Sequence, residues 1–257
     1  MPEKKFFRYV LPYMQSNMYL CIEQEQALIV DPHTSFEALD TLRTAGVKQL
    51  LILLTHEHFD HTSGVNFFRS QCQEVYVIGH AETALHIIKP RNNRPLALLK
   101  MVTAKNRVQM MEEYHSYPVL PITVDHALSF EEAFVWKGHR LQFRFAPGHS
   151  RGSMLIHFDE EIVFTGDYMI ADTAVILRYP GSSVLDYQQK TLPILLHLSQ
   201  NSCIFPGHGI PYRLLDADYR EGIFCLRAGQ EDSDILSRSG KSGAGTEGRV
   251  HQNGVEE

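Results

Sequence analysis

A dense group of potential metal ligands lies at residues 55–61, which read Thr-His-Glu-His-Phe-Asp-His. Three histidines and one aspartate fall within six residues, directly after an apolar run at 50–54. Imidazole nitrogens and carboxylate oxygens suit zinc, and also iron or manganese. Because apposed polar side chains need a partner that compensates them, this spacing favours a metal centre over a solvated loop. The candidate ligands are His56, His58, Asp60 and His61.

Three later segments each add one potential ligand after a predicted strand. They read Ala-Pro-Gly-His-Ser at 146–150, Phe-Thr-Gly-Asp at 164–167 and Phe-Pro-Gly-His-Gly at 205–209. The glycine before each ligand allows a sharp backbone turn that brings the next side chain close to an ion. One Gly-His turn would be weak evidence. Four segments in this order indicate that His149, Asp167 and His208 share one site with the first motif.

Strand and helix patterns alternate along the chain, which predicts an α/β layered fold. Within the predicted strand at 49–54, residues 50–54 are all apolar, as is typical of a strand buried on both faces. Apolar residues recur at helical spacing over 35–45 and 62–70, and a further helix is predicted over 184–198. The other predicted strands are 6–10, 18–22, 27–30, 75–78, 134–136, 141–145, 154–158, 162–164 and 203–205.

Two segments differ from the rest of the chain. Within 89–121, six positively charged residues precede the first acidic one, Glu112, and leucines and methionines are interleaved with them. This composition predicts a basic helical insert. Residues 229–257 contain six glycines and no aromatic residue, so they predict a flexible tail that cannot bury enough apolar surface to offset ordering. The remaining residues, within 1–228, are predicted to form one domain.

Composition excludes several classes of protein. The 257 residues include 24 basic and 30 acidic side chains, a net charge of −6, which argues against nucleic-acid binding because such proteins usually carry a basic surplus. No apolar run approaches the roughly 18 residues of a membrane helix, and no apolar signal-peptide stretch precedes Pro12. The four cysteines show no C-x-x-C spacing. We therefore expect reduced thiols and a cytoplasmic location.

On these motifs the chain resembles the metallo-β-lactamase-fold superfamily of metal-dependent hydrolases, in its glyoxalase II-like branch. The resemblance covers about residues 6–215 apart from the 89–121 insert. It implies an α/β fold, a four-layer αββα sandwich with a helical insert, and a dinuclear site at one edge. By that match, the ligands of the first metal are His56, His58 and His149, those of the second are Asp60, His61 and His208, and the bridging ligand is Asp167.

The resemblance also implies a mechanism. Two divalent ions, zinc first and iron or manganese as alternatives, would share a bridging hydroxide that attacks an ester, thioester, lactone or similar bond. Asp60 would serve both as ligand and as the group that orients this hydroxide. Tyr168 is a candidate for proton donation or an oxyanion contact, with packing as the alternative. Asp31 could hydrogen-bond a ligand histidine or cap a turn, and His33 is expected in a surface loop rather than in the pocket.

Several branches of the superfamily fit less well. Only 49 residues follow His208, which leaves little room for the glutathione-binding domain of a strict glyoxalase II. The interval between Asp167 and His208 is too short for the large inserts of RNA-processing relatives, and flavodiiron reductases have a glutamate where this chain has His58. Two alternatives to a hydrolase remain. They are a persulfide dioxygenase-like oxidoreductase with one iron, and a metal-binding protein without catalysis.

The 89–121 insert has two competing interpretations. As a basic, apolar lid beside the metal site, it would favour an anionic or acyl-bearing small-molecule substrate. As a packing surface, it would form a homodimer contact. Its sequence alone does not decide between them.

Overall fold

The computed structural model describes residues 6–95, 107–116, 119–214 and 223–224. Its first sheet has six strands in sequential order, and the first five match predicted apolar runs. They are β1 (Phe7–Val10), β2 (Asn17–Glu23), β3 (Gln26–Val30), β4 (Gln49–Leu53), β5 (Glu74–His80) and β6 (His126–Leu128). The pairs among β1, β2 and β3 are antiparallel, while β3 to β6 run parallel. The carboxyl ends of β3 and β4 therefore meet at one edge, where the 55–61 motif begins.

The second sheet also has six strands, and again each strand lies beside its neighbours in the chain. They are β7 (Glu132–Trp136), β8 (His139–Phe145), β9 (Met154–Phe158), β10 (Ile162–Gly166), β11 (Cys203–Pro206) and β12 (Tyr212–Arg213). All neighbours are antiparallel except β10 and β11, which run parallel. The register between those two shifts after Phe164. The segments that follow β8, β10 and β11 contain the three later ligand motifs.

The first helix has the boundaries that the sequence predicts. Helix α1 (Phe36–Thr44) begins after Ser35, whose side chain accepts a hydrogen bond of 3.2 Å from the Ala38 amide. It ends before Gly46, which has a φ of +67°. A serine N-cap and a left-handed glycine after the last turn are the usual local signals for the two ends of a helix.

The helix predicted over 62–70 begins three residues later in the structure, and a separate short helix precedes it. They are α2 (Phe59–Thr62) and α3 (Val65–Gln71). Gly64 separates them because its backbone lies against His33, where an ideal Cβ would approach the carbonyl carbon to 2.5 Å. Its N–H donates to the Pro32 carbonyl over 2.9 Å. As a result, the second half of the 55–61 motif has a short helix of its own.

The predicted helical insert is described only in part. It follows α4 (Ala81–Ile87) and contains a 3₁₀ turn (Pro90–Asn92) and helix α5 (Arg107–Ser116). Residues 96–106 and 117–118 of the insert, like the predicted tail at 229–257, lie outside the described residues. Within the part of the chain that is described, no helix is both long enough and apolar enough to span a membrane.

The helix predicted over 184–198 ends slightly earlier and is irregular in its centre. It consists of α6 (Val184–Asp186), a π-helical turn (Tyr187–Thr191) and α7 (Leu192–Leu196). The π turn lies where the backbone of Tyr187 approaches Gly148, whose ideal Cβ would be 2.9 Å from the Tyr187 Cα. The irregular turn thus lies against the segment that contains His149.

Three apolar clusters divide the molecule into four layers. The central one lies between the sheets, where the Phe6 ring meets Phe158, Phe164 and Phe205 at 5.1, 5.2 and 5.7 Å, edge to face. A second cluster joins the first sheet to α1 and α3, and a third joins the second sheet to α6 and α7. Burial of each sheet on both faces drives this stacking. The predicted αββα sandwich is confirmed.

Candidate metal centre

The 55–61 motif changes conformation in its middle. His56 lies just beyond β4, and His58 has an extended backbone that caps α2, so the chain turns into a helix at Phe59. Asp60 and His61 then lie in the single turn of α2. Because the motif is extended in its first half and helical in its second half, its side chains point to two adjoining positions.

The first cluster consists of His56, His58, His149 and Asp167, each of which offers one ligand atom within 4.8 Å of the others. The His58 Nδ1 atom lies 3.0 Å from the Nε2 atoms of both His56 and His149. Three ring nitrogens thus converge at one point, although His149 is 91 residues from His58. The four residues expected to share a site from separate motifs come together.

The second cluster consists of Asp60, His61 and His208. The Asp60 Oδ2 atom lies 3.3 Å from His61 Nε2 and 3.4 Å from His208 Nε2. His61 is fully buried, whereas the His208 side chain is 24 % exposed. This cluster therefore reaches the protein surface.

Asp167 lies between the two clusters. Its Oδ2 atom is 3.2 Å from His149 Nε2, while its Oδ1 atom is 3.3 Å from His61 Nε2 and 3.4 Å from His208 Nε2. The glycine at 207 permits this arrangement, because an ideal Cβ there would lie 2.7 Å from Asp167 Oδ1. One carboxylate thus faces both groups, as a bridging ligand would.

The donor set fits divalent cations. Among the described residues, the buried His61 Nε2 and Asp167 Oδ1 atoms have no hydrogen-bond partner. A buried polar atom without a partner is unfavourable by about 1–3 kcal/mol, and a cation between these two atoms would satisfy both. Nitrogen and carboxylate oxygen ligands of this kind suit zinc, iron or manganese.

Hydrogen bonds on the far side of the rings set the histidine tautomers. The Thr55 hydroxyl donates its proton to Asp31 over 2.6 Å, so it accepts from His56 Nδ1 at 3.0 Å. The Nδ1 atom of His149 lies 2.8 Å from the Ile176 carbonyl, which can only accept. Each bond places the proton on Nδ1 and leaves the Nε2 lone pair facing the cluster.

Asp31 and His208 complete this pattern. The Asp31 Oδ2 atom lies 3.0 Å from His61 Nδ1, and its Oδ1 atom accepts the Thr55 amide at 2.7 Å. Of the two roles considered for Asp31, the structure places it as the hydrogen-bond partner of a candidate ligand. His208 Nδ1 lies 3.1 Å from the Gln15 carbonyl. The Nε2 atoms of both histidines therefore face the second cluster.

The two clusters differ in protonation. Burial, reinforced by the neighbouring histidines, lowers the pKa of His56 well below its ordinary value and that of His58 to about 3. Burial alone would also lower the pKa of His61 and of His208, but the carboxylates of Asp60 and Asp167 outweigh it and raise both. His56 and His58 are therefore neutral at pH 7, whereas the raised pKa values of His61 and His208 favour their protonated forms.

The carboxylates respond in the opposite sense. Burial by itself would raise the pKa of Asp60 and of Asp167. The adjacent histidines, His61 foremost for Asp60 and His208 foremost for Asp167, outweigh burial and hold both pKa values well below the usual range. Both side chains are therefore ionised at neutral pH and ready to bind a cation.

Tyr168 lies behind His149 and is only 1 % exposed. Its hydroxyl accepts a hydrogen bond from the His149 amide at 2.7 Å and donates to the Ala146 carbonyl at 2.9 Å. The single phenolic proton is thus bonded to the backbone. This geometry favours a role in holding the His149 turn over the proton donation considered from the sequence.

The surface position expected for His33 is wrong. The residue is 3 % exposed, with Nε2 3.3 Å from the Tyr9 carbonyl and Nδ1 3.1 Å from the Thr34 carbonyl. It is covered because Gly64 packs against its backbone. Both ring nitrogens face backbone carbonyls, so His33 belongs to the packing beneath the site.

Sequence reasoning missed two residues that support the site. Asn17 donates through Nδ2 to the carbonyls of Pro206 and Gly209, both at 2.8 Å, and so holds the turn that contains His208. Nothing in the local sequence signals this contact, which joins positions about 190 residues apart. Glu57 is buried beside the first cluster. The sequence did contain a signal for Glu57, since it is a charged residue between two candidate ligands.

Comparison with known proteins agrees with this geometry. The family model of the Metallo-beta-lactamase superfamily matches residues 11–208. The chain is 28 % identical over 209 residues to Acyl-coenzyme A thioesterase MBLAC2 of Gallus gallus. This alignment covers 76 % of this chain and 72 % of that protein. It is 45 % identical over 64 residues to Hydroxyacylglutathione hydrolase of Photorhabdus laumondii. This shorter alignment covers 25 % of this chain and 26 % of that protein.

A solved structure provides a further comparison. The crystal structure of TTHA1623 in a di-iron-bound form superposes with a TM-score of 0.63 at 27 % identity, covering 84 % of this chain and 98 % of that one. Relatives named for hydrolysis agree with the glyoxalase II-like resemblance that the motifs predict. On the match of its family model, its fold and its motifs, the chain belongs to the metallo-beta-lactamase superfamily.

Proposed function

We propose that this chain is a metal-dependent hydrolase that uses two divalent ions, zinc foremost, to cleave the thioester bond of a small acyl-bearing substrate. One observation carries the proposal. Asp167 directs one carboxylate oxygen into each of two adjoining histidine clusters, 3.2 Å from His149 and 3.3 Å from His61. A carboxylate shared between two ligand groups is suited to hold two metal ions close together, as in two-metal hydrolytic sites.

The choice of a thioester draws on two of the similar proteins. Acyl-coenzyme A and hydroxyacylglutathione, the compounds in the names of these relatives, are both thioesters. The site chemistry agrees, because a thiol with a pKa near 8.5 leaves as a thiolate without an acid to protonate it. The Tyr168 proton, which an alcohol leaving group would need, is bonded to Ala146.

The residues of the chain have separate tasks in this reaction. Bound divalent ions would supply Lewis acidity and make water nucleophilic near neutral pH. The ionised Asp60 carboxylate would accept a hydrogen bond from the attacking water and direct it at the acyl carbon. Asp31 and Thr55 hold His61 and His56 in their metal-binding tautomers. Tyr168 holds the backbone of His149.

Metal analysis combined with a substrate panel tests the proposal. Purified full-length protein is assayed against ester, thioester, lactone and phosphodiester substrates. We expect about two zinc ions per chain, preferential thioester hydrolysis, loss of activity with a chelator and recovery with zinc. Asp60→Ala should lower turnover strongly, whereas His126→Gln, at a surface ion pair with Glu132, should not.

Three outcomes would overturn the proposal. One iron per chain with oxygen consumption would indicate the persulfide dioxygenase-like alternative. Tight metal uptake without turnover on any substrate would indicate a metal-binding protein. Full metal content and full turnover in Asp60→Ala would remove the role assigned to Asp60.

A second part of the proposal concerns the insert, which would act as a lid over the site and bind an anionic substrate. Its described portion includes the exposed basic residues Lys89 and Arg91. A homodimer contact through the same segment is the competing role. Deleting 93–116 and measuring oligomeric state together with KM separates the two. A higher KM supports the lid, and loss of a dimer with unchanged KM supports the contact.

A further inference from the structure

Glu57 is a buried carboxylate that neither metal cluster uses. It lies between His56 and His58 in the motif, and it is 7 % exposed. Its side chain does not contribute to either cluster. It contacts the segment that follows His149 instead. Burying a carboxylate is unfavourable unless hydrogen bonds compensate it, so these contacts require an explanation.

The contacts of Glu57 are made almost entirely with residues just after His149. Its Oε2 atom accepts hydrogen bonds from the Ser150 hydroxyl at 2.7 Å and from the Gly152 amide at 3.2 Å. Thr83 on α4 adds a weaker contact, with Oγ1 3.4 Å from the same oxygen. Glu57 thus binds this segment firmly.

Gly152 shows how closely the two segments are fitted. An ideal Cβ at this position would lie 2.7 Å from Glu57 Oε2 and 2.2 Å from Thr83 Oγ1. No side chain fits there without displacing one of them. The backbone at 152 therefore packs directly against the carboxylate, and the position of one segment determines that of the other.

We propose that Glu57 is a positioning residue that joins the two halves of the first cluster and gives it its metal-binding geometry before a metal arrives. Its backbone connects His56 to His58, and its side chain binds residues one and three positions after His149. The inference rests on the proposed function only in that the cluster is taken to bind a divalent ion. A preorganised site pays less ordering entropy on binding.

The proposal predicts an effect on one cluster alone. The second cluster is held by Asp31 and by Asn17, neither of which belongs to the contacts of Glu57. Loss of a residue that orients metal ligands typically weakens metal binding by about 10–100-fold. In Glu57→Ala we expect the zinc affinity of the first cluster to fall by that factor. The zinc affinity of the second cluster should change by no more than about threefold.

A zinc titration against a competing chromophoric chelator measures this. It is made on metal-stripped full-length protein and repeated in a His208→Ala background, which retains all four first-cluster side chains. Glu57→Gln keeps the reach and the acceptor for Gly152, so it should recover most of the affinity. Glu57→Asp is too short and should resemble Glu57→Ala. The matched control is Asp125→Ala, which removes a carboxylate that accepts the Val77 amide at 2.7 Å on another face.

Hydrogen exchange on the metal-free protein gives a readout that needs neither metal nor substrate. Amides of 148–153 should exchange faster in Glu57→Ala than in the wild type or in Asp125→Ala. Gly152→Ala, which displaces the carboxylate instead of removing it, should weaken first-cluster zinc binding in the same way.

Unchanged zinc affinity in a folded Glu57→Ala protein would overturn the inference. An equal loss in Asp125→Ala would also overturn it, because the effect would then reflect general destabilisation. If the wild type hydrolyses no thioester but Glu57→Ala still loses first-cluster affinity, the proposed function fails and the role of Glu57 stands.

Discussion

The two clusters of the candidate metal centre differ in the charge around their histidines. In the first, His56 and His149 are each 1 % exposed and the rings meet through contacts of 3.0 Å. In the second, His208 reaches the surface, and carboxylates surround the buried His61. Burial keeps histidine neutral, whereas adjacent carboxylates keep it protonated. We therefore expect the first cluster to bind a metal more tightly than the second.

The supports of the clusters differ as well. The His149 turn is held by the hydroxyl of Tyr168 and by Glu57 through Ser150. The His208 turn is held from the first sheet, since Asn17 and the Tyr19 hydroxyl both donate to the Pro206 carbonyl. The second cluster thus depends on how the edges of the two sheets meet. Four predictions test whether this contrast governs metal binding.

Removal of one ligand from each cluster should have the largest effect. His149→Ala should lose the more tightly bound metal and about a thousandfold or more in turnover, because a metal contributes several kcal/mol of transition-state stabilisation. His208→Ala should retain one metal per chain. Metal analysis and steady-state kinetics check both variants. If His208→Ala loses both metals, the clusters do not bind independently and the contrast is broken.

The pH dependence of zinc uptake should separate the clusters next. The pKa values of His61 and His208 are raised, so both rings hold protons that zinc must displace, and falling pH opposes binding. We expect second-cluster affinity to rise about tenfold per pH unit for each proton displaced. First-cluster affinity should change less between pH 6 and 8, because two of its rings, His56 and His58, are already neutral. Zinc titrations at three pH values test this, and equal slopes would contradict it.

Asn17→Ala should lower the zinc affinity of the second cluster alone, by about tenfold. This is in the range expected when a residue that orients metal ligands is lost. It removes two of the hydrogen bonds that hold the turn containing His208. Asn66→Ala is the control, since that amide bonds the Pro121 carbonyl away from the site. A drop in first-cluster affinity of the same size would show that the supports are not separate.

Tyr168→Phe should have the smallest effect on turnover. Loss of the hydroxyl leaves the His149 amide and the Ala146 carbonyl without their partner, which should lower the free energy of unfolding by about 1–3 kcal/mol. Turnover should fall less than about tenfold with KM unchanged, as a positioning role on the first cluster predicts. Tyr187→Phe, which loses a hydroxyl bonded to the Phe224 carbonyl, is the control for stability. A collapse of turnover at full metal content would instead restore Tyr168 as a proton donor.

Much of the architecture was predictable because its signals are local. Apolar runs placed ten of the twelve strands in the described residues, and Ser35 with Gly46 marked the two ends of α1. The division between α2 and α3 was not predictable, because Gly64 reports a contact with His33 that appears only when the chain folds back. The burial of His33 escaped prediction for the same reason.

The sequence by itself determined which side chains could share a metal site and in what order they occur, because ligand type and spacing are properties of short segments. Only the tertiary structure decided how they are held. The links from Glu57 to Ser150 and from Asn17 to Pro206 join positions 93 and 189 residues apart. No local pattern encodes such contacts, since they arise when two sheets pack and bring distant loops to one edge. The unequal character of the two clusters follows from that packing.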